Sequence, residues 1–348
     1  MNKMEKKRAL ITGITGQDGY YLSKFLSEKG YEIYGLVRRT SNNPFLRFDN
    51  DIPLWKSINV IYGNMQDVSA IRRALEISKP HEIYNLAALS DVGISFQCPT
   101  ETMEINYHGV GKLITEAFQQ NDKVRFYQAS TSEMFGRTNP PQNEESIFLP
   151  VSPYAEAKLR AHEDYIKSYR EKYGMFSCSG ILFNHESPKR GEHFVTRKIV
   201  LSMAKIKIGL QDVLELGNLD SKRDWGFAGD YVRAMWLMLQ QEIPDDYVIS
   251  TGENHTVRDF VNTAAKALDM NISWEGQAEN EVAKDENGKV IVRINSKFYR
   301  PFEVHNLLGD STKARLKLGW KPEVSFEELV KMMVDSDVNL AKYIQKDS

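Results

Sequence analysis

The stretch RALITGITGQDG, Arg8 to Gly19, decides the fold. An apolar run (Ala9, Leu10, Ile11) leads into three glycines, Gly13, Gly16 and Gly19, and then into a helical pattern carried by Tyr21, Leu22, Phe25 and Leu26. A strand that passes directly into a helix needs one glycine for the tight turn. A second lets backbone approach a pyrophosphate, and a third lets helix pack on strand. The helix N-terminus then presents unpaired N–H groups and partial positive charge to that pyrophosphate. The spacing is GxxGxxG rather than the commoner GxGxxG, and three glycines at a strand end also occur in plain turns. Their place at the first strand–helix junction favours the dinucleotide reading.

Beyond this unit, strand and helix signals alternate. Gly30 closes the first helix, and YEIYGLV (31–37) reads as a second strand. INVIYG from Ile58 reads as a third. Asp67 caps a helix whose apolar face carries Val68, Ile71, Leu75 and Ile77. EIYNLA (82–87) is a fourth strand, followed by a helix over 103–118, and VRFYQAS (124–130) is a fifth. Pro153 suits the first turn of a long helix over 154–173, and FSCSGILF (176–183) is a further buried strand. Such alternation predicts an α/β fold, a Rossmann-like doubly wound parallel sheet with helices on both faces. The second half is less regular. Helices over 195–208 and 230–241, a strand over 246–251, an exposed polar loop over 276–289, a strand over 290–294 and terminal amphipathic helices are expected. They predict a smaller, mostly C-terminal α/β lobe over the carboxyl ends of the strands, where ligands of such sheets bind. The expected division is 1–183 for the dinucleotide-binding domain, with returns near 224–252, and 184–223 with 253–348 for the substrate-binding lobe.

A chain of 348 residues accommodates one large domain and a smaller one. Its 41% hydrophobic and 26% charged content is that of an ordinary globular protein. A net charge of −2 gives no general electrostatic reason to bind nucleic acid or an anionic membrane. An anionic ligand must therefore be held by local arginines and lysines. The basic start MNKMEKKR is followed only by ALI before Thr12, too short for the apolar core of a signal peptide, and no run has membrane-spanning length. Cys98 and Cys178, the two cysteines, lack metal-ligand spacing; they read as reduced, buried thiols of a cytoplasmic protein, and no metal is expected.

An acidic residue at the end of the second strand would bond the ribose 2′-hydroxyl of NAD. Here that strand ends in Arg38 and Arg39, followed by Thr40 and Ser41. Two guanidinium groups and two hydroxyls suit a 2′-phosphate, which favours NADP; a solvated basic turn is the other reading. Tyr154 and Lys158 stand four apart, on one face of the expected helix. A phenol with a reference pKa near ~10 is a poor base at neutral pH. A neighbouring ammonium and a positively charged nicotinamide would lower it into a usable range. The pair alone is weak; it gains meaning from QASTSEMFG, which sets Thr131, Ser132 and Glu133 just past the fifth strand. There, hydroxyls can polarise a substrate oxygen and a carboxylate can move a proton. A polar strand end with a helix cap would look the same.

The motifs TGITGQDG (12–19), ASTSEMFG (129–136), SPYAEAK (152–158), ILFNHESPKRG (181–191), FVTRKI (194–199) and KRDWGFAGDYV (222–232) together resemble the extended short-chain dehydrogenase/reductase family over nearly the full length. Within that family the chain looks most like the nucleotide-sugar dehydratases that act on GDP-mannose. The resemblance implies that Thr131, Glu133, Tyr154 and Lys158 are catalytic, with Lys158 also holding the nicotinamide ribose. It implies an NADP site lined by Gly13, Ile14, Thr15, Gly16, Gln17 and Asp18 of the glycine loop, Arg38 to Ser41, Asn64, Met65, Leu86, Ala87, Ala88, Leu89, Ser90, His185 and Arg190. His185 also reads as a satisfied core histidine. Ser90, Ser132, Asn184, Val195, Lys198, Arg223, Arg300 and Glu303 would face the sugar nucleotide. The chain departs from the family pattern at Asn64, where aspartate is usual, at Leu89 and Asp91, and at Glu101, where tyrosine is common. The implied activity is NADP-dependent conversion of GDP-mannose to GDP-4-keto-6-deoxy-mannose by a cytoplasmic homotetramer, with no nucleic-acid or membrane partner. The alternatives are a dehydratase of GDP-manno-heptose, another nucleotide-sugar epimerase or reductase, and a non-enzymatic NADP sensor. Glu133, as a carbon-5 base, argues against a reductase, and the intact catalytic set argues against a sensor.

Overall fold

Ala9, Leu10 and Ile11 are fully buried because the strand they form lies in the middle of a sheet covered on both faces. The computed structural model describes residues 6–298, 304 and 306–347. Six strands come in chain order, β1 (Arg8–Thr12), β2 (Glu32–Val37), β3 (Asn59–Tyr62), β4 (Glu82–Asn85), β5 (Arg125–Thr131) and β6 (Ser177–Leu182), and a seventh, Tyr247–Ile249, joins them late. All pair in parallel, in the spatial order β3-β2-β1-β4-β5-β6-(Tyr247–Ile249). Chain order reverses between β1 and β4, and that switch point opens a crevice at the carboxyl ends of the two strands.

Alternation along each strand feeds two cores. Ile11, Ile33, Tyr84 and Tyr127 meet Leu22 and Leu26 of the helix Gln17–Glu28 and Val232 and Met235 of the helix Ala228–Met238. On the other face Leu10, Leu36, Ile83 and Phe126 meet Ile71, Leu75, Leu113, Ile114 and Ala157. Each such aliphatic side chain contributes roughly 1.5–3 kcal/mol by leaving water. The helix Val68–Ser78 is capped by Asp67, whose carboxylate accepts from the Ser69 and Ala70 N–H groups. Its buried face is Ala70, Ile71, Ala74 and Leu75, whereas Val68 and Ile77, expected inside, are exposed. Two alanines let this helix approach the sheet closely, and that rotates the expected stripe outward. The helices expected over 103–118 and 154–173 each contain a π segment, Glu104–His108 and Ala161–Lys167. There the rings of Tyr107 and Tyr165 come within 5.1 Å, and Tyr165 lies over Gly111, where any Cβ would collide with its ring.

The smaller lobe has its own core, in which Ile199, Val200, Met203, Trp225, Phe260, Leu329, Val330 and Met333 pack on a four-stranded sheet. That sheet runs Ile272–Glu275, Val282–Asp285, Val290–Ile294 and Leu214–Leu216 in spatial order. Residues 276–289, expected as an exposed loop, thus contain a strand. Only Val282 and Ala283 are apolar in it, too few to show a period, and its turn is made by the Asp285 carboxylate accepting from Asn287 and Lys289 N–H. Cys178 is buried as expected, while Cys98 is only partly buried. No helix among the described residues is long and apolar enough to cross a membrane.

Candidate active site

The crevice at the switch point opens into a cavity of about 1020 Å³ between the sheet and the smaller lobe. Its floor is the glycine loop. Gly13 has φ +68°, and a Cβ there would sit 2.7 Å from the backbone of Leu86 and Ala87, so glycine is required on both counts. Gly16 caps the helix Gln17–Glu28 without a side-chain bond, and Gly16, Gln17 and Asp18 line the cavity. Side chains of this first turn reach across to the lobe. Gln17 Nε2 donates to the His185 carbonyl at 3.0 Å, and Ser187 Oγ donates to Gln17 Oε1 at 2.7 Å. His185 Nε2 lies 2.8 Å from Asp18 Oδ2, and Nδ1 lies 2.8 Å from the Phe183 carbonyl. Both ring nitrogens face acceptors, an arrangement that favours the imidazolium. Burial works against that charge, but the Asp18 carboxylate outweighs it and raises the His185 pKa; Asp18, also buried, is held below its ordinary value by His185.

Arg38, Asn64, Met65 and Leu86 to Ser90 line the same cavity. The side chains of Arg39, Thr40 and Ser41 are exposed and lie outside it, and Ile14 is buried in the core beneath. The Asn64 amide oxygen is taken up by the N–H groups of Gln66 and Asp67. Arg190 stacks on the Phe194 ring, its Nε 3.0 Å from a carboxylate oxygen of buried Glu186.

Thr131 ends β5, and its hydroxyl accepts from the Glu133 N–H at 3.2 Å at the start of the short turn Ser132–Met134. Ser152 caps the next helix and Pro153 opens it, which turns Tyr154 and, one turn on, Lys158 toward β5. Thr131, Ser132, Glu133, Tyr154 and Lys158 all line the cavity, and all five are buried. Burial, helped by the Glu133 charge and opposed by the Thr131 hydroxyl, pushes the Tyr154 phenol up to about 12. The nearby ammonium does not offset this: Lys158 Nζ is 6.0 Å from the Tyr154 ring centre and donates to the Ala129 carbonyl at 2.8 Å. Burial lowers Lys158 itself to about 8, against the pull of Asp18.

The lobe supplies the opposite wall. Asn184, Val195, Lys198 and Arg223 line it, with Lys198 Nζ 3.5 Å over the Phe298 ring and its pKa lowered by burial. Arg300 and Glu303 lie outside the described residues. Among the described residues no cluster of His, Cys, Asp and Glu is placed to hold a metal. Sequence reasoning missed Lys297 and Phe298, which line this wall, and Asn106, whose buried amide clamps the Leu89 peptide through both its N–H and its carbonyl. None carried a signal in the sequence: Asn106 reads as one more polar residue of a helix, and Lys297 and Phe298 sit in a segment without period.

A family model described as GDP-mannose 4,6 dehydratase matches residues 10–333. The Arabidopsis thaliana protein named GDP-mannose 4,6 dehydratase 1 is 50% identical over 346 residues, covering 97% of this chain and 91% of that one. The Homo sapiens GDP-mannose 4,6 dehydratase is 49% identical over 351 residues, covering 96% and 92%. Among solved structures, the Thermus thermophilus UDP-glucose 4-epimerase complex with NAD superimposes with a TM-score of 0.77 at 23% identity, covering 95% of this chain and 98% of that one. The Pseudomonas aeruginosa RMD complexed with NADPH gives 0.73 at 18% identity, covering 96% and 100%. These distant structures share the fold. The match in sequence is far closer and spans both lobes, and by it the chain belongs to the GDP-mannose 4,6-dehydratase family.

Proposed function

We propose that the chain is a hydro-lyase that converts GDP-mannose to GDP-4-keto-6-deoxy-mannose with NADP as its resident cofactor. The observation that carries this reading is the convergence of Thr131, Glu133, Tyr154 and Lys158 in one buried cavity floored by the glycine loop. The cavity fits a dinucleotide: an uncapped helix N-terminus, Arg38 and Arg190 supply cations and N–H donors for phosphates. Bound there, NADP supplies oxidation at carbon 4 of the sugar and later reduction at carbon 6. Tyr154 takes the proton of the 4-hydroxyl, with Lys158 beside it to favour the phenolate. The ketone at carbon 4 acidifies the carbon-5 proton, which Glu133 removes. Protonation of the 6-hydroxyl by Glu133, assisted by Thr131, releases water, and the proton that carbon 5 regains when carbon 6 is reduced balances the one Tyr154 took from the 4-hydroxyl. Asn184, Val195, Lys198 and Arg223 hold the sugar nucleotide, and two of these are cations suited to its diphosphate.

The reading includes a cytoplasmic homotetramer. Its support is the free state of both cysteines and the exposure of Arg39, Thr40 and Ser41 beside the cavity, where a neighbouring subunit can meet them. Turnover assays with GDP-mannose and with GDP-manno-heptose test the substrate. Loss of water from GDP-mannose without added oxidant is the expected result; activity confined to the heptose would overturn the hexose reading. Sedimentation of the purified protein at tetramer mass is expected, and a monomer would overturn the assembly.

A further inference from the structure

Thr12 on β1, Asn85 on β4 and Gln128 on β5 stand side by side in register on the sheet face that packs against the Tyr154–Lys158 helix. All three are at most 1% exposed. Their side chains are joined end to end. Thr12 Oγ1 accepts from the Ala87 N–H and donates to Asn85 Oδ1; Asn85 Nδ2 donates to Gln128 Oε1 at 2.7 Å; Gln128 Nε2 donates to the Ala129 carbonyl at 2.9 Å. That carbonyl also receives Lys158 Nζ, at 2.8 Å. The pairing of β4 with β5 ends at Asn85↔Gln128, one residue before Ala129.

Three polar side chains at the centre of a sheet are costly to bury unless satisfied, and apolar residues would fill this layer without that demand. The row is satisfied throughout, and it terminates on the oxygen that seats an ammonium. A carbonyl oxygen has two lone pairs. With the Gln128 amide on one of them, the other is held in a fixed direction for Lys158. We propose that Gln128, anchored by Asn85 and Thr12, is a positioning residue for Lys158. It orients the Ala129 carbonyl so that the ammonium keeps its place beside Tyr154. This rests on the role proposed for Lys158. The groups that act on that ammonium besides the carbonyl are Tyr154 on its own helix and the Asp18 carboxylate on the first helix. Neither touches Gln128 directly, so a change at Gln128 reaches Lys158 through the Ala129 oxygen.

The test compares the pH profile of kcat for GDP-mannose in the full-length protein and in Gln128→Met, which keeps the volume and removes the amide. Phe126→Leu, on the same strand and face, serves as the packing control, and Lys158→Met as the reference. The ammonium loses its fixed seat in Gln128→Met. The expected result is therefore a fall in kcat of up to roughly 10-fold, the upper end for loss of one neutral hydrogen bond, with KM little changed. The alkaline limb, where Lys158 gives up its proton, should move to lower pH. Phe126→Leu should lose stability and leave the limb in place. If Gln128→Met does not fold, Asn85→Ser cuts the anchor one bond away and should give the same shift at smaller size. A limb unmoved or moved upward in the folded variant overturns the inference alone, provided Lys158→Met abolishes that limb. Lys158→Met with a wild-type profile would refute the role of Lys158 and the inference together.

Discussion

Tyr154 sits in surroundings that oppose its ionisation. Burial and the Glu133 charge hold the phenol near 12, and the one hydroxyl that eases it is that of Thr131. To serve as the proposed base, Tyr154 needs more positive charge than the cavity's own residues give it, and a bound cationic nicotinamide would supply that charge. Tyr154→Phe should lower kcat by ~10²–10⁴-fold, the usual cost of a missing general base, with substrate affinity nearly intact. Full turnover in that variant would move the base to Glu133. Arg223, buried in the lobe wall, should act on binding instead. Arg223→Ala should weaken binding by roughly 1.5–3 kcal/mol if it makes one charged hydrogen bond, read by titration of GDP-mannose, and wild-type affinity would remove it from the site. On the cofactor side, NADP should bind more tightly than NAD. Arg38 lines the cavity and Arg39 does not, so in single variants Arg38→Ala should reduce the preference for NADP more than Arg39→Ala. Equal affinities for the two cofactors in the wild type would contradict the basic pair's role.

Among elements, the decisive joint is the one between the helix Gln17–Glu28 and the short strand Asn184–Glu186. It is made by Gln17, Asp18, His185 and Ser187, and His185 also stacks on Tyr231 at 4.6 Å. Its ion pair is pH-sensitive with a definite sign. His185 has a folded pKa above the ordinary 6.5, so its stabilisation is complete below 6.5 and is lost as pH rises through the raised value. Asp18 has a folded pKa below the ordinary 3.8, so its part is present above 3.8 and is lost only as pH falls through the lowered value. The window of full strength is therefore 3.8 to 6.5. In denaturant unfolding, the stability gap between wild type and His185→Gln should be largest near pH 6 and shrink toward pH 9; a constant gap would show that the ring acts only by stacking. This joint also marks what the sequence could show. The glycine loop was legible from its three glycines at a strand end, and strands β1 to β6 because each is a short, mostly apolar or aromatic stretch set between helical patterns and turn residues. His185 was legible as a candidate, but its partner stands 167 positions away and no local pattern names it. The lobe's strands were mostly illegible for the same reason. Leu214–Leu216 is three residues long and takes its sheet partner from Val290–Ile294. Gln128 and Asn106 read as ordinary polar residues until their neighbours are known.

At the scale of the molecule, a sheet built for a dinucleotide faces a lobe whose wall carries Lys198, Arg223 and Lys297. With a net charge of −2 overall, these cations are a local arrangement and not a general basic surface. The late strand Tyr247–Ile249 and the helix Ala228–Met238 return from the lobe to the main sheet, and Ala314, Leu318 and Trp320 pack into the same core. The walls are thereby cross-linked, and a substrate between them is held against the cofactor floor. Holding both reactants in place makes each transfer effectively unimolecular. Tyr154 and Lys158, proposed for the oxidation, and Glu133 and Thr131, proposed for the elimination, share one cavity, so on the proposed function the hydrogen removed from carbon 4 should return to the same sugar at carbon 6. The most direct measurement follows GDP-mannose deuterated at carbon 4 through a single turnover by the NADP-loaded enzyme. Product deuterated at carbon 6 with no steady growth of NADPH absorbance is expected; stoichiometric NADPH accumulation, or label lost to solvent, would contradict internal hydride return.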